Sequence, residues 1–256
     1  MSAVMEMAEV EAAPRPTARL GRYAVWQLYD YGRGVGGATV VLSGLAITML
    51  TMTSLWGLAH TPIAQGATSA LLGVLGFLGP IFACSGLVSE DRSKGYYRFL
   101  LAKPVSPVRF YAQAFLLRGA AFLGITAAVW AACALLLGTG SFIGTMAYAA
   151  LCYLTVGGVT LLNSTLGRHA WLATLLLGGA AGIVTGFTRT TSMWRPLWLA
   201  LHAVLPPFHL TSVLSQALMR GGDVLNTAGV IAWFAGYGLL AVAAALTVIR
   251  GREWPL

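Results

Sequence analysis

Apolar residues along this chain fall into long blocks separated by short polar breaks. Six runs stand out: Ala38–Leu58, Thr68–Val88, Gly119–Leu137, Phe142–Leu162, Trp171–Phe187 and Ala228–Ile249. Each is close to the roughly 20 residues that cross about 30 Å of hydrocarbon as a helix. The pattern predicts an all-α polytopic membrane protein with six transmembrane helices in one domain, residues 17–256. The segment before it, residues 1–16, carries Glu6, Glu9 and Glu11 without periodicity and is expected to be a disordered tail. Between them, Thr17 to Arg33 places Leu20, Ala24, Leu28 and Tyr31 on one side, with Trp26 and Tyr29 nearby and Arg19, Arg22 and Arg33 interspersed. That suits an interfacial helix, and equally a basic flank that orients the first span.

Composition supports the membrane reading. The chain is 57% hydrophobic and 9% charged, where a soluble domain carries about 25% charged residues. Its net charge of +8 does not form a stripe of the kind that binds nucleic acid. The basic residues instead flank the apolar runs. With both termini on the cytoplasmic side, thirteen of the sixteen Lys and Arg residues lie inside, and only Arg189, Arg195 and Arg220 outside, which fixes the expected orientation. A bacterial or archaeal cytoplasmic membrane is the expected location, with no cleavable signal peptide. Cys84, Cys133 and Cys152 lie in or beside apolar runs without metal-ligand spacing and read as small buried hydrophobes.

Small residues mark where helices approach closely. The first run carries Ser43, Thr51 and Ser54 near whole-turn spacings, and the fifth carries Gly178, Gly182 and Gly186 four apart. They fit packing within one subunit, or a dimer seam that lines a substrate route. Pro80 among Gly73, Gly76, Gly79 and Gly86 predicts a kink in the second run, and Gly157-Gly158 a weak point in the fourth. Between the fifth and sixth runs, Thr188 to Thr227 is too long for a tight turn. Trp194, Trp198, the Pro206-Pro207 break and Phe208 suggest two short outer helices, either an aromatic belt or a lid over an exit. His202 and His209 are seven apart, a poor same-face ligand pair, so no metal site is expected.

The stretch Val88 to Tyr111, VSEDRSKGYYRFLLAKPVSPVRFY, is a charged connector between the second and third runs. Glu90 and Asp91 suit the first turn of a helix after a possible cap at Ser89. Glu90, Lys94 and Arg98 are spaced four apart, and Tyr97, Leu100 and Leu101 form an apolar edge before Pro104 and Pro107 end the helix. On pattern alone this is a solvated turn or a docking element. Its order, with Glu90, Arg92, Gly95, Leu100, Leu101, Pro104, Val105, Ser106 and Arg109, resembles the signature of ABC-2-type transporter permeases. Tyr96, Tyr97 and Gln113 depart from that pattern. The resemblance implies a cytoplasmic coupling helix that docks on a separate ATP-hydrolysing subunit through Glu90, Asp91, Arg92, Lys94, Gly95, Tyr97, Arg98, Leu100, Leu101 and Pro104. It also implies a pair of permease chains, most simply a homodimer, with spans one and five at the seam, and two ATPase copies carrying ATP and magnesium.

No phosphate-cradling G-x-x-x-x-G-K-[ST] loop, G-x-S-x-G elbow or H-E-x-x-H motif is present, and no charge lies deep within a run. The chain is therefore expected to hold no cofactor and to be no enzyme itself, its energy coming from the partner. The expected function is the permease of an ATP-driven exporter for a lipophilic or amphipathic cargo such as a drug, natural product or lipid. The alternative is a membrane anchor or assembly factor that couples such an ATPase to an envelope machine without moving cargo.

Overall fold

The computed structural model describes residues 20–33, 35–55, 62–93, 95, 106–137, 141–188, 195–219 and 224–251. The expected tail at 1–16 and the site residues Lys94, Tyr97, Arg98, Leu100, Leu101, Pro104 and Trp194 lie outside them. Among the described residues there is no strand. The helices are α1 (Leu20–Arg33), α2 (Val35–Leu55), α3 (Pro62–Cys84), α4 (Ser89–Ser93), α5 (Pro107–Leu137), α6 (Phe142–Leu166), α7 (Ala170–Thr188), α8 (Arg195–Val204), α9 (Thr211–Met219) and α10 (Val224–Gly251).

Five stretches are long and apolar enough to cross a membrane: Ala70–Ser93, Pro107–Leu136, Phe142–Leu166, Ala170–Thr188 and Thr227–Gly251. The pair Pro196–Val204 and Phe208–Met219, bent by 84°, would make a sixth if it counts as one crossing. The first run expected from sequence falls on α2, whose qualifying apolar part, Gly36–Met49, is shorter than these. Exposure supports a lipid surroundings: Leu135 is 87% exposed, Ile143 80% and Leu240 71%. Such outward apolar faces would be costly in water and are at home in hydrocarbon. The chain is a multi-pass membrane protein in character.

Several buried hydroxyls are satisfied within their own helices. Thr126 donates to the Phe122 carbonyl at 2.9 Å, Thr160 to Val156 at 2.8 Å and Thr174 to Ala170 at 2.9 Å. Each returns to the carbonyl four residues earlier, which satisfies these three hydroxyls inside the bundle.

α3 and α6 run side by side at the centre, flanked by α2 and α5 on one side and by α7 and α10 on the other. Both central helices are irregular at one level. Pro80 removes a backbone donor from α3. Opposite it, Tyr153–Gly157 forms a π-helical turn within α6, at the glycine pair the sequence marks as weak. A Cβ on Gly157 would lie 3.1 Å from Cys84 Sγ and 3.7 Å from Pro80 Cβ, so glycine suits this close approach and a side chain would require Cys84 to shift by a few tenths of an ångström. Tyr153 is held in the turn by its hydroxyl, which donates to the Phe115 carbonyl at 2.6 Å and accepts from Cys84 Sγ at 3.5 Å. Thr155 donates across to the Phe234 carbonyl of α10 at 2.7 Å.

Candidate functional site at the charged connector

α5 begins twelve residues before the Gly119 expected from sequence. Pro107 is tolerated in a first turn, where its missing N–H has no partner to lose. Val108, Phe110, Tyr111, Ala114 and Phe115 then pack into the core. Arg118 consequently sits about three turns inside a long helix. Its Nη1 donates to the Ala83 carbonyl at 2.9 Å, at the C-terminal end of α3. A cation there offsets the unpaired carbonyls and the negative end of the helix dipole. The same guanidinium lies 5.6 Å from the ring centre of Tyr31, binding α1 to the group. Burial pushes the Tyr31 phenol above its ordinary value, and Arg118 pulls the other way.

The connector leaves α3 through Ser85–Val88 and enters α4. Its cap does not come from Ser89, as sequence suggested. The Val88 and Ser89 amides instead donate to Ser164 Oγ at 3.0 and 3.2 Å. Ser164 is buried in the last turn of α6, so a different span holds the start of the connector. On the other flank, the Tyr111 hydroxyl of α5 donates to Asp91 Oδ2 at 3.2 Å. Three helices, α1, α5 and α6, thus grip the connector or the α3 end that feeds it.

α4 is a short helix. Ser93 is its last residue, and Gly95 adopts φ +71° with its amide on the Arg92 carbonyl at 3.3 Å. The left-handed conformation favours glycine and turns the backbone out of the helix. Glu90, Arg92, Ser93 and Arg109 are exposed at this end, while Asp91 and Gly95 are half-buried. The result is a charged outer face on a clamped base.

No family model, curated protein or solved structure matches this chain.

The residues proposed for a seam or route divide. Ser43 is buried and donates to the Thr39 carbonyl at 2.8 Å, Thr51 donates to Ile47 at 2.6 Å, and Ser54 reaches the Leu136 carbonyl of α5 at 3.5 Å. These hydroxyls serve local backbone and helix packing. Gly178 faces inward, where an added Cβ would come within 3.0 Å of the Phe77 ring. Gly182 and Gly186 face open space. α2 packs on α3 and α5, whereas α7 packs on α6 and α8.

The segment after α7 folds back onto the bundle. Trp198 stacks on Phe187 with ring centres 4.9 Å apart. Pro206, Pro207 and Phe208 are buried, and Phe208 meets Phe77 edge-to-face at 5.4 Å. The turn at the proline pair brings His202 and His209 together, their ring centres 4.3 Å apart. Helical spacing alone missed this contact, although Pro206-Pro207 between them was the signal for it. Among the described residues no group of three or more His, Cys, Asp or Glu could hold a metal.

Proposed function

We propose that this chain is the membrane-spanning permease subunit of an ATP-driven exporter, powered by a separate ATPase that docks on the connector. The observation that carries this reading is the clamped connector: Ser164, Tyr111 and Arg118 tie an exposed acid–base face to the ends of α3, α5 and α6. A merely solvated turn needs no such anchoring. A docking lever does, because a push on Glu90 and Arg92 must reach the spans without being lost in a flexible loop.

In this reading α2 completes a six-span layout, both termini are cytoplasmic, and the bent α8–α9 pair lies on the outer side. Two permease chains meet through the outward apolar faces of α2 and α7, which include Val41, Leu45, Leu176 and Ile183. ATP and magnesium reside on the ATPase, and the cargo is lipophilic or amphipathic.

The deciding experiment is reconstitution of this chain with its ATPase in lipid discs. Transport predicts ATPase activity that rises with cargo and falls when Gly95 is replaced by proline, with the complex still assembled. Stimulation only by an envelope protein would instead mark an assembly factor, and normal coupling by the Gly95→Pro variant would overturn the lever.

A further inference from the structure

α1 packs one face on α5 at the connector end of the bundle. Tyr23 meets Phe110 edge-to-face with ring centres 6.2 Å apart, Gln27 Nε2 donates to the Phe110 carbonyl at 3.5 Å, and Tyr31 carries the Arg118 guanidinium over its ring. These three residues are spaced four apart and make one inward stripe. Val25, Tyr29 and Arg33, also four apart, lie on the far side of the same helix, with Trp26 beside them. All four are exposed, Trp26 by 70%.

The outward stripe suits neither water nor hydrocarbon alone. Val25 and Trp26 are unfavourable in water, and Arg33 is unfavourable in hydrocarbon. Tryptophan and tyrosine with an arginine beside them match the headgroup layer of a bilayer. Arg33 is also held in place, its guanidinium carbon 4.8 Å from the ring centre of Tyr29. Stacking of this kind uses the flat face of a guanidinium, and the N–H edges stay available to an oxygen acceptor. An arginine already seated on a ring loses less side-chain freedom when it binds. Asp30, the one acid of α1, lies off this stripe and close enough to Asp91 of the connector for the two charges to repel. The charge on the stripe itself is positive.

We propose that the outward stripe of α1 binds the headgroup of an anionic phospholipid, its phosphate on the Arg33 guanidinium and its acyl boundary against Val25 and Trp26. A phosphate matches the planar fork of arginine with two parallel hydrogen bonds. A zwitterionic lipid brings the same phosphate together with an ammonium that Arg33 repels, so the site selects the anionic headgroup. It belongs to α1 and stands apart from the exporter reading, so it can be tested without any ATPase.

The probe is dioleoyl phosphatidylglycerol, titrated into the detergent-purified full chain with bound lipid counted by native mass spectrometry. Dioleoyl phosphatidylcholine is the zwitterionic comparison. The first phosphatidylglycerol should bind several-fold more tightly than the first phosphatidylcholine. Arg33→Gln should weaken phosphatidylglycerol binding about fivefold and leave phosphatidylcholine binding unchanged. Tyr29→Leu keeps apolar bulk and removes the ring under the guanidinium, so it should weaken phosphatidylglycerol binding by a smaller factor. Arg168→Gln removes an exposed arginine outside α1 and should change neither affinity. Soluble glycerol 3-phosphate, which lacks the acyl chains, should not displace the lipid. Equal binding of the two lipids, no loss in Arg33→Gln, an equal loss in Arg168→Gln, or displacement by glycerol 3-phosphate would each overturn the proposal.

Discussion

The Ser164 hydroxyl accepts hydrogen bonds from the backbone amides of Val88 and Ser89, 76 and 75 residues earlier in the chain. The N-terminus of α4 is thereby capped by the last turn of α6. Replacing an N-cap hydroxyl costs about 1 kcal/mol, and stranding buried amides adds to it. Ser164→Ala should lower the thermal midpoint of the purified protein in detergent by a few degrees. Ser164→Thr, which keeps an acceptor, should recover part of the loss. A midpoint unchanged in the alanine variant would show that the cap does not hold the connector.

Tyr111 and Asp91 form the second anchor, at 3.2 Å. A hydrogen bond to a carboxylate contributes roughly 1.5–3 kcal/mol. Tyr111→Phe removes the donor and keeps the ring. It should destabilise the protein by about that amount and increase hydrogen exchange at the amides of Glu90 to Ser93 more than elsewhere. Exchange that rises uniformly would mean the contact is not local to α4.

Arg118 tests the link to α3. Its bond to the Ala83 carbonyl depends on a guanidinium reaching the end of another helix. Arg118→Met keeps the aliphatic stem and loses the donor, at an expected cost of roughly 1.5–3 kcal/mol. Arg118→Lys should rescue incompletely, because a single ammonium cannot reproduce the planar fork over Tyr31. Full rescue by lysine would reduce the role of Arg118 to charge alone.

Gly95 carries φ +71°. A side chain there costs about 1–2 kcal/mol in the left-handed region. Gly95→Ala should therefore be harmful and Gly95→Asn milder, since asparagine tolerates that conformation. Accumulation of the folded protein and ATPase coupling in the reconstituted complex should follow the same order, Gly, Asn, Ala, Pro. An alanine variant that outperforms asparagine would contradict the backbone argument.

Orientation can be read by thiol labelling, because the native Cys84, Cys133 and Cys152 are buried. Arg92→Cys and Ser212→Cys are exposed positions on the connector and on α9. A membrane-impermeant reagent on intact cells should label Ser212→Cys alone, and both variants after lysis. The opposite pattern would turn the proposed topology inside out.

Much of the architecture was legible because membrane spans are written as apolar length. The runs at 142–162, 171–187 and 228–249 fall within α6, α7 and α10. The start of α5 was not legible, since Arg109 and Arg118 look like flanks until the apolar residues between them are seen packed. The hydroxyls of Ser43 and Thr51 suggested a polar route, and sequence cannot show that each is bonded to its own helix. The connector was visible as a charged island, but its partners Ser164 and Tyr111 lie in other elements. Only tertiary proximity reveals them, as it does the His202–His209 pair across the proline turn.

Pro80 and the π-helical turn at Tyr153–Gly157 sit across from each other, with Cys84 and Phe115 filling the space beside Gly157. Two neighbouring rods weakened at the same height share a fulcrum. Their connector-side segments are pinned to α4 through Ser164 and to α5 through Arg118, and α10 packs along the part of α6 that follows the turn, Gly158–Leu166. Under load from the charged end, the two spans are expected to bend together at this level.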